Sequence, residues 1–283
     1  MDQPTTISRV IVVVLDGLRP DAINTFHLHH IQRLMRSGAS TMCATTVSPS
    51  ITAAAMTSLL TGVHPQIHGL RSDRLRIPSA HKQLFPVPRV LNDAGIPTFA
   101  FMREIPLLTR PFAHHIAWKL GVERIIFRGK TAPSILMEAR HILQTESRGF
   151  FLLHWTDADQ AGHEFGWMSD EYREAAKKLD ASLGLLCALT NVVNDPSTLL
   201  IALADHGGGG DVSNNHESTH PHDWTIPILL CGGAVTPSSL HAKASLIDVP
   251  PTILHALDVA IPSNYAGRPL TEAFTTPAYA IAS

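Results

Sequence analysis

The chain has 283 residues, 45% hydrophobic and 16% charged, with a formal net charge of -2. That is enough apolar sequence for one large α/β domain, and it excludes a disordered chain. The charge balance excludes a basic nucleic-acid footprint and a polybasic membrane-surface patch.

Cys43, Cys187 and Cys231 stand in no metal or redox spacing, which fits a reducing compartment without a disulfide framework. No stretch reads as a signal peptide or a transmembrane helix, so a cytoplasmic protein is expected.

Residues 9–15 are mostly β-branched and predict a strand ending at Asp16-Gly17. Residues 27–36 carry helical spacing (Leu28, Ile31, Leu34, Met35) and stop at Ser37-Gly38. A second strand over 40–47 is broken by Ser48-Pro49-Ser50. Residues 52–60 predict a helix ended by Thr61-Gly62, with Thr52 in its first turn. There the dipole favours an alkoxide and an anionic substrate, although Ser50 or Thr52 could equally be a cap.

His64 to Gly69 is a turn, 89–94 a short helix and 97–102 a strand. Residues 71–88 read as a loop or a small cap element, and 103–130 as a lid or a packed connection, so a small cap insertion is expected around 71–130. A helix from Pro133 to Thr145 leads into an apolar run at 150–153. Ser169 caps a helix with Asp170 and Glu171 in its first turn. Tyr172, Ala176, Leu179, Leu183, Leu186 and Leu189 form its core stripe, with Asp180 on the polar flank. Strands over 199–203 and 226–230 and a helix over 248–257 follow. Strands alternating with helices predict a single α/β domain over 1–283, with a doubly wound, mostly parallel sheet and helices on both faces.

The runs at 150–153 and 199–203 each end in polar chemistry. The first leads into His154-Trp-Thr-Asp-Ala-Asp-Gln-Ala-Gly-His163 and the second into Ala204-Asp-His-Gly207. In open α/β sheets the site lies beyond the carboxyl ends of the strands, so both deliver Asp and His to one rim. Carboxylate with imidazole suits zinc, manganese or iron. Of the 17 histidines, pairs such as His114/His115 lack such a context and read as solvated surface.

The order strand-Asp16, Thr52 at a helix start, Asp159-x-x-x-His163, then Asp205-His-Gly207 resembles the alkaline phosphatase superfamily. The likeness is strongest to its type I phosphodiesterase/nucleotide pyrophosphatase branch and the related phosphonoacetate hydrolases. Val14-Leu-Asp-Gly-Leu-Arg19, Leu59-Leu-Thr-Gly62 and His68-Gly69 also carry it. The resemblance implies an alkaline phosphatase-like fold and two divalent metal ions, zinc foremost, with manganese or iron also suited. Asp159, His163 and a later His would hold the first. Asp16, Asp205, His206 and the Thr52 oxygen would hold the second. Asp157 is taken as a neighbour. The later His is His216, His220 or His222, and the family's segment ahead of a Thr-Ile-Pro strand favours His216.

The implied function is hydrolysis of a small phosphate ester (a phosphodiester, pyrophosphate or phosphonate) through phosphothreonine on Thr52. A phosphomonoesterase, a phosphomutase or a catalytically impaired metal-dependent binding protein are the alternatives. A sulfatase is disfavoured, because Thr52-Ala-Ala-Ala-Met56 offers no formylglycine precursor. The diesterase branch's phosphate-binding Asn falls on Asp73 here, so Asp73, Arg71 or Arg74 would face the substrate.

Overall fold

The computed structural model describes residues 7–72, 84–232 and 235–274. Eight strands form one sheet: β1 (Arg9–Leu15), β2 (Ala39–Thr45), β3 (Thr98–Met102), β4 (Arg124–Phe127), β5 (Gly149–Trp155), β6 (Thr198–Leu203), β7 (Thr225–Gly232) and β8 (Ser238–Ser239). Their order is β4-β3-β5-β1-β6-β7-β2-β8. Only β7 runs antiparallel to its neighbours β6 and β2, so the sheet is mostly parallel, as expected.

Strands buried on both faces read as continuous apolar runs, which is why β1, β5 and β6 stand out in the sequence. All their residues are buried. One layer of helices, with Ala132–Thr145, Asp170–Thr190 and His29–Ser37, packs together on one side. Thr52–Thr61, Val87–Asp93 and Val249–Ala256 form a second mutually packed group. No helix among the described residues is long and apolar enough to cross a membrane.

The structure bears on three expectations, although residues 73–83 of the expected cap lie outside the described ones. Within 71–130, where a small cap was expected, β3 and β4 belong to the main sheet, and helix Arg110–Lys119 lies between them in the chain. β4 escaped notice because it is a half-exposed edge strand starting at an exposed Arg124. Asp180 is not a polar flank. It is buried and accepts hydrogen bonds from the amides of His30 (3.2 Å) and Ile31 (2.8 Å), so it caps helix His29–Ser37 from a neighbouring helix. Finally, neither Ser50 nor Thr52 is the cap of helix Thr52–Thr61: Ile51 holds that position without a side-chain bond.

Candidate metal centre

The site is built where β1, β5 and β6 end. Asp16 follows β1, and its amide donates to Trp155 O at the end of β5 (3.0 Å). Gly17 then turns with φ +70°, and a Cβ there would lie 2.9 Å from Asp159 Cα. Glycine is therefore required both by the left-handed turn and by the close approach of helix Asp157–Phe165. Asp159 N donates to Asp16 O (3.1 Å), which locks the two acids side by side. Trp167 Nε1 and Tyr172 Oη both donate to Gly17 O at 2.9 Å, which fixes the turn from behind.

Asp205 and His206 follow β6 and are fully buried. Thr46 Oγ1 donates to Asp205 O, and the amide of His206 donates to Asp205 Oδ1 (3.1 Å). Gly207 has no room for a side chain, since a Cβ would lie 1.9 Å from His222 O. Thr52 opens its helix, with its hydroxyl oxygen 3.0 Å from His206 Nε2. Ser50, two residues earlier, is tied to His216 in both directions: its hydroxyl donates to His216 O, and its carbonyl accepts from His216 Nδ1.

The three imidazoles share one arrangement. Nδ1 of His163, His206 and His216 lies 3.0, 2.8 and 2.6 Å from the carbonyl oxygens of Asn214, Gly207 and Ser50. A carbonyl only accepts, so each Nδ1 is the donor, and each ring turns its Nε2 into the cluster. His163 Nε2 and His216 Nε2 face each other at 3.1 Å. His163 Nε2 lies 3.4 Å from Asp159 Oδ1, and His206 Nε2 lies 3.3 Å from Asp16 Oδ1. Asp16 Oδ1, Asp159 Oδ1 and Asp205 Oδ2 are buried without a hydrogen-bond donor.

Buried carboxylate oxygens without a donor need a cation among them, and the Nε2 atoms facing them would serve as its further ligands. The donor set of oxygen and Nε2 ligands thus fits divalent metal. Two groups bring ligand atoms within 4.8 Å of one another: Asp159/His206/His216 and Asp16/His154/Asp205.

The buried acids and imidazoles shift one another's charge. Burial, and then the charge of Asp16, push the carboxyls of Asp159 and Asp205 upward. Asp16 is driven far down, because bonds and charge from His154 and His206 overcome its burial. His206 is raised to about 10, as Asp205 and Asp16 outweigh the burial that opposes its charge. His216 falls to about 4 through burial and then the neighbouring His206, whose ring stacks on it at 3.8 Å.

Asp16, Thr52, Asp159, His163, Asp205, His206 and His216 therefore come together. Of the three histidines left open, His216 faces the cluster. Half-buried His220 caps the short helix Pro221–Trp224 by accepting from the amide of exposed His222. Asp157 is a neighbour only, since its Oδ2 accepts from Ala132 N (2.7 Å) at the start of helix Ala132–Thr145. Arg71 is exposed, and Asp73 and Arg74 lie outside the described residues.

The residue missed in the sequence is His154, buried on β5, with Nε2 2.8 Å from Asp16 Oδ2. Its one signal was a lone imidazole in the apolar run Phe150-Phe-Leu-Leu-His154.

The fold is shared with solved structures of the alkaline phosphatase superfamily. Within it, the chain belongs to the type I phosphodiesterase / nucleotide pyrophosphatase family, whose model matches residues 10–90 and 97–227. It is 23% identical over 227 residues to the bis(5'-adenosyl)-triphosphatase enpp4 of Xenopus laevis, covering 73% of this chain and 49% of that protein. It is 29% identical over 153 residues to a 2,3-bisphosphoglycerate-independent phosphoglycerate mutase of Acaryochloris marina, covering 50% of this chain and 28% of that protein. The chain thus spans half or less of the length of these curated relatives.

Human ectonucleotide pyrophosphatase / phosphodiesterase 5 superposes with a TM-score of 0.73 at 15% identity, over 94% of this chain and all of that one. The inactive murine counterpart in complex with AMP gives 0.72 at 14%, over 95% and 100% of the two chains.

Proposed function

We propose that this protein is a metal-dependent hydrolase of small phosphate esters, acting on a phosphodiester or pyrophosphate bond through phosphothreonine on Thr52. The observation that carries the reading is the Thr52 hydroxyl, set at a helix N-terminus among three donor-less carboxylate oxygens and three inward-facing Nε2 atoms. The family match supports the same reaction class.

Asp16, Asp205, His206 and Thr52 would hold one divalent ion, and Asp159, His163 and His216 the other. When bound, the ions (zinc best, manganese or iron also suited) would lower the pKa of the Thr52 hydroxyl and neutralise the phosphoryl oxygens. Thr52 Oγ1 attacks phosphorus, and the bond to the leaving oxygen breaks with its electron pair. The free amides at the start of helix Thr52–Thr61 stabilise charge on the transferred group. Water then attacks the phosphothreonine and restores the hydroxyl. His154 acts as a positioning residue by holding Asp16.

The test is turnover of bis-p-nitrophenyl phosphate and p-nitrophenyl phosphate with zinc or manganese, beside Thr52→Ala. The variant is expected to lose at least about 10³-fold in kcat. Acid-quenched wild type should carry phosphate on Thr52 by mass spectrometry. Unchanged turnover in the variant would end the covalent reading, and no turnover of either ester would end the hydrolase reading.

A further inference from the structure

Trp167 follows the end of helix Asp157–Phe165 and is buried. Its side chain fills a slot that any residue larger than glycine would close. A Cβ on Gly162, Gly208 or Gly209 would lie 2.6, 2.1 or 2.6 Å from atoms of that side chain. Gly162 belongs to the helix that carries Asp159 and His163, and Gly208 and Gly209 follow His206. Two segments of the candidate centre thus give up side chains to admit one ring.

The indole meets two of the imidazoles that face the cluster. Its centroid lies 5.2 Å from that of His163 and 5.7 Å from that of His216, at interplanar angles of 80° and 68°. Those are edge-to-face contacts within the usual range for aromatic rings, about 4.5–7 Å. The two imidazoles are themselves 4.9 Å apart, so the three rings form a closed triangle. The backbone adds a further tie. Trp167 N donates to Ser213 O (2.7 Å), and the next carbonyl, Asn214 O, accepts from His163 Nδ1. The loop that ends in His216 is therefore fastened to the helix at Trp167.

His163 has the greatest need of such support. Its side chain is 46% exposed, against 5% for His216 and 0% for His206. The other acids and His206 are anchored differently. Gly17 O, beside Asp16, accepts from Tyr172 Oη as well as from Trp167 Nε1, so the turn keeps a donor without the indole. Asp205 is held through its carbonyl by Thr46, and His206 through its Nδ1 by Gly207 O.

We infer that Trp167 is a positioning residue for one of the two metal ions: its ring holds His163 and His216 in convergence. The affinity of the Asp159/His163/His216 position therefore depends on a flat ring at position 167, and that of the Asp16/Asp205/His206 position does not. This rests on the two-ion assignment proposed above.

The test is zinc affinity, measured by competition with a chromogenic chelator in proteins left with one position each. Asp205→Ala leaves the Asp159/His163/His216 position, and Asp159→Ala leaves the other. In the Asp205→Ala background, Trp167→Leu keeps apolar bulk without a ring and should weaken zinc binding about 10–100-fold. Trp167→Phe restores a ring and should lose less than about tenfold. In the Asp159→Ala background both substitutions should leave the affinity unchanged. Trp167→Met, whose flexible chain fills irregular gaps, serves if the leucine variant does not fold.

Equal weakening in both backgrounds would make the indole a support of the fold alone and overturn the inference. So would leucine and phenylalanine variants that bind alike, or an unchanged affinity in the Asp205→Ala background. If Asp205→Ala and Asp159→Ala each still bind two zinc ions, the ligand assignment falls, and Trp167 is read in the otherwise wild-type chain. There, Trp167→Leu weakening one of two ions supports the positioning role, and weakening neither or both overturns it.

Discussion

His154 touches Asp16 and nothing else in the cluster by hydrogen bond, and it is buried at the end of β5. Partners of this kind fix the orientation and charge of a ligating carboxylate. His154→Ala is expected to weaken metal affinity about 10–100-fold, measured by competition with a chromogenic chelator; unchanged affinity would reduce His154 to a packing residue. Such residues are hard to see in a sequence because their role depends on register: Val14 pairs with His154, which brings the imidazole beside Asp16 two residues further on. Asp16, Asp159, Asp205 and His206 were legible for the opposite reason. Each follows an apolar run with only a turn or one helical step between, so strand ends alone place them. His216 needed the loop's own bonds to separate it from His220 and His222.

His68 gives a second residue-scale prediction. It is fully buried, with Nε2 3.0 Å from Ser58 Oγ and Nδ1 accepting from Leu70 N (3.1 Å). Burial lowers it to about 4. Its folded value lies below its unfolded one, so the unfolded chain binds the extra proton first. The stability it contributes is complete above about pH 6.5 and is lost as pH falls from there to about 4, amounting to about 3 kcal/mol. Urea unfolding of wild type and His68→Gln across that window should show a steeper loss in the wild type; parallel curves would refute the assignment.

At the scale of elements, helix His29–Ser37 starts at Leu28, which has no side chain to cap it. Asp180 supplies the missing acceptor from helix Asp170–Thr190, binding two first-turn amides. Asp180→Ala should therefore cost about 1–2 kcal/mol in urea unfolding, with Asn recovering part of it. An alanine variant as stable as wild type would show that water replaces the carboxylate.

No periodicity argument could place this cap, because Asp180 occupies a helical position whose partner lies 149 residues earlier. The same limit hid β4. A short edge strand with an exposed Arg124 lacks the double burial that made β1, β5 and β6 continuous apolar runs. Its pairing with β3 is a tertiary fact. The helix between them, Arg110–Lys119, turns Phe112, Ala113 and Ile116 to an open apolar cavity and buries only Ala117 in the core, so it looked irregular.

Across the whole molecule, three strands and two helices converge so that Asp16, Asp159 and Asp205 share one buried corner. That placement opposes stability unless a cation is held there. Burial and the charge of Asp16 raise the carboxyl of Asp159 above its unfolded value. In chelator-treated protein the stability linked to protonated Asp159 is therefore present at low pH and lost as pH rises through the raised value.

Asp159→Asn removes the charge while keeping the shape. At pH 8 it should raise the Tm of the chelator-treated protein, by about 2–4 °C for each kcal/mol of relieved repulsion. Zinc at a hundredfold excess over its Kd should stabilise the wild type by about 2.7 kcal/mol, and the variant by much less. The two Tm curves should then cross: the variant higher without metal, the wild type higher with it. Scanning calorimetry of both proteins with and without zinc decides the matter. A variant less stable in chelator, or a wild type indifferent to zinc, would mean that the corner was not built around a cation.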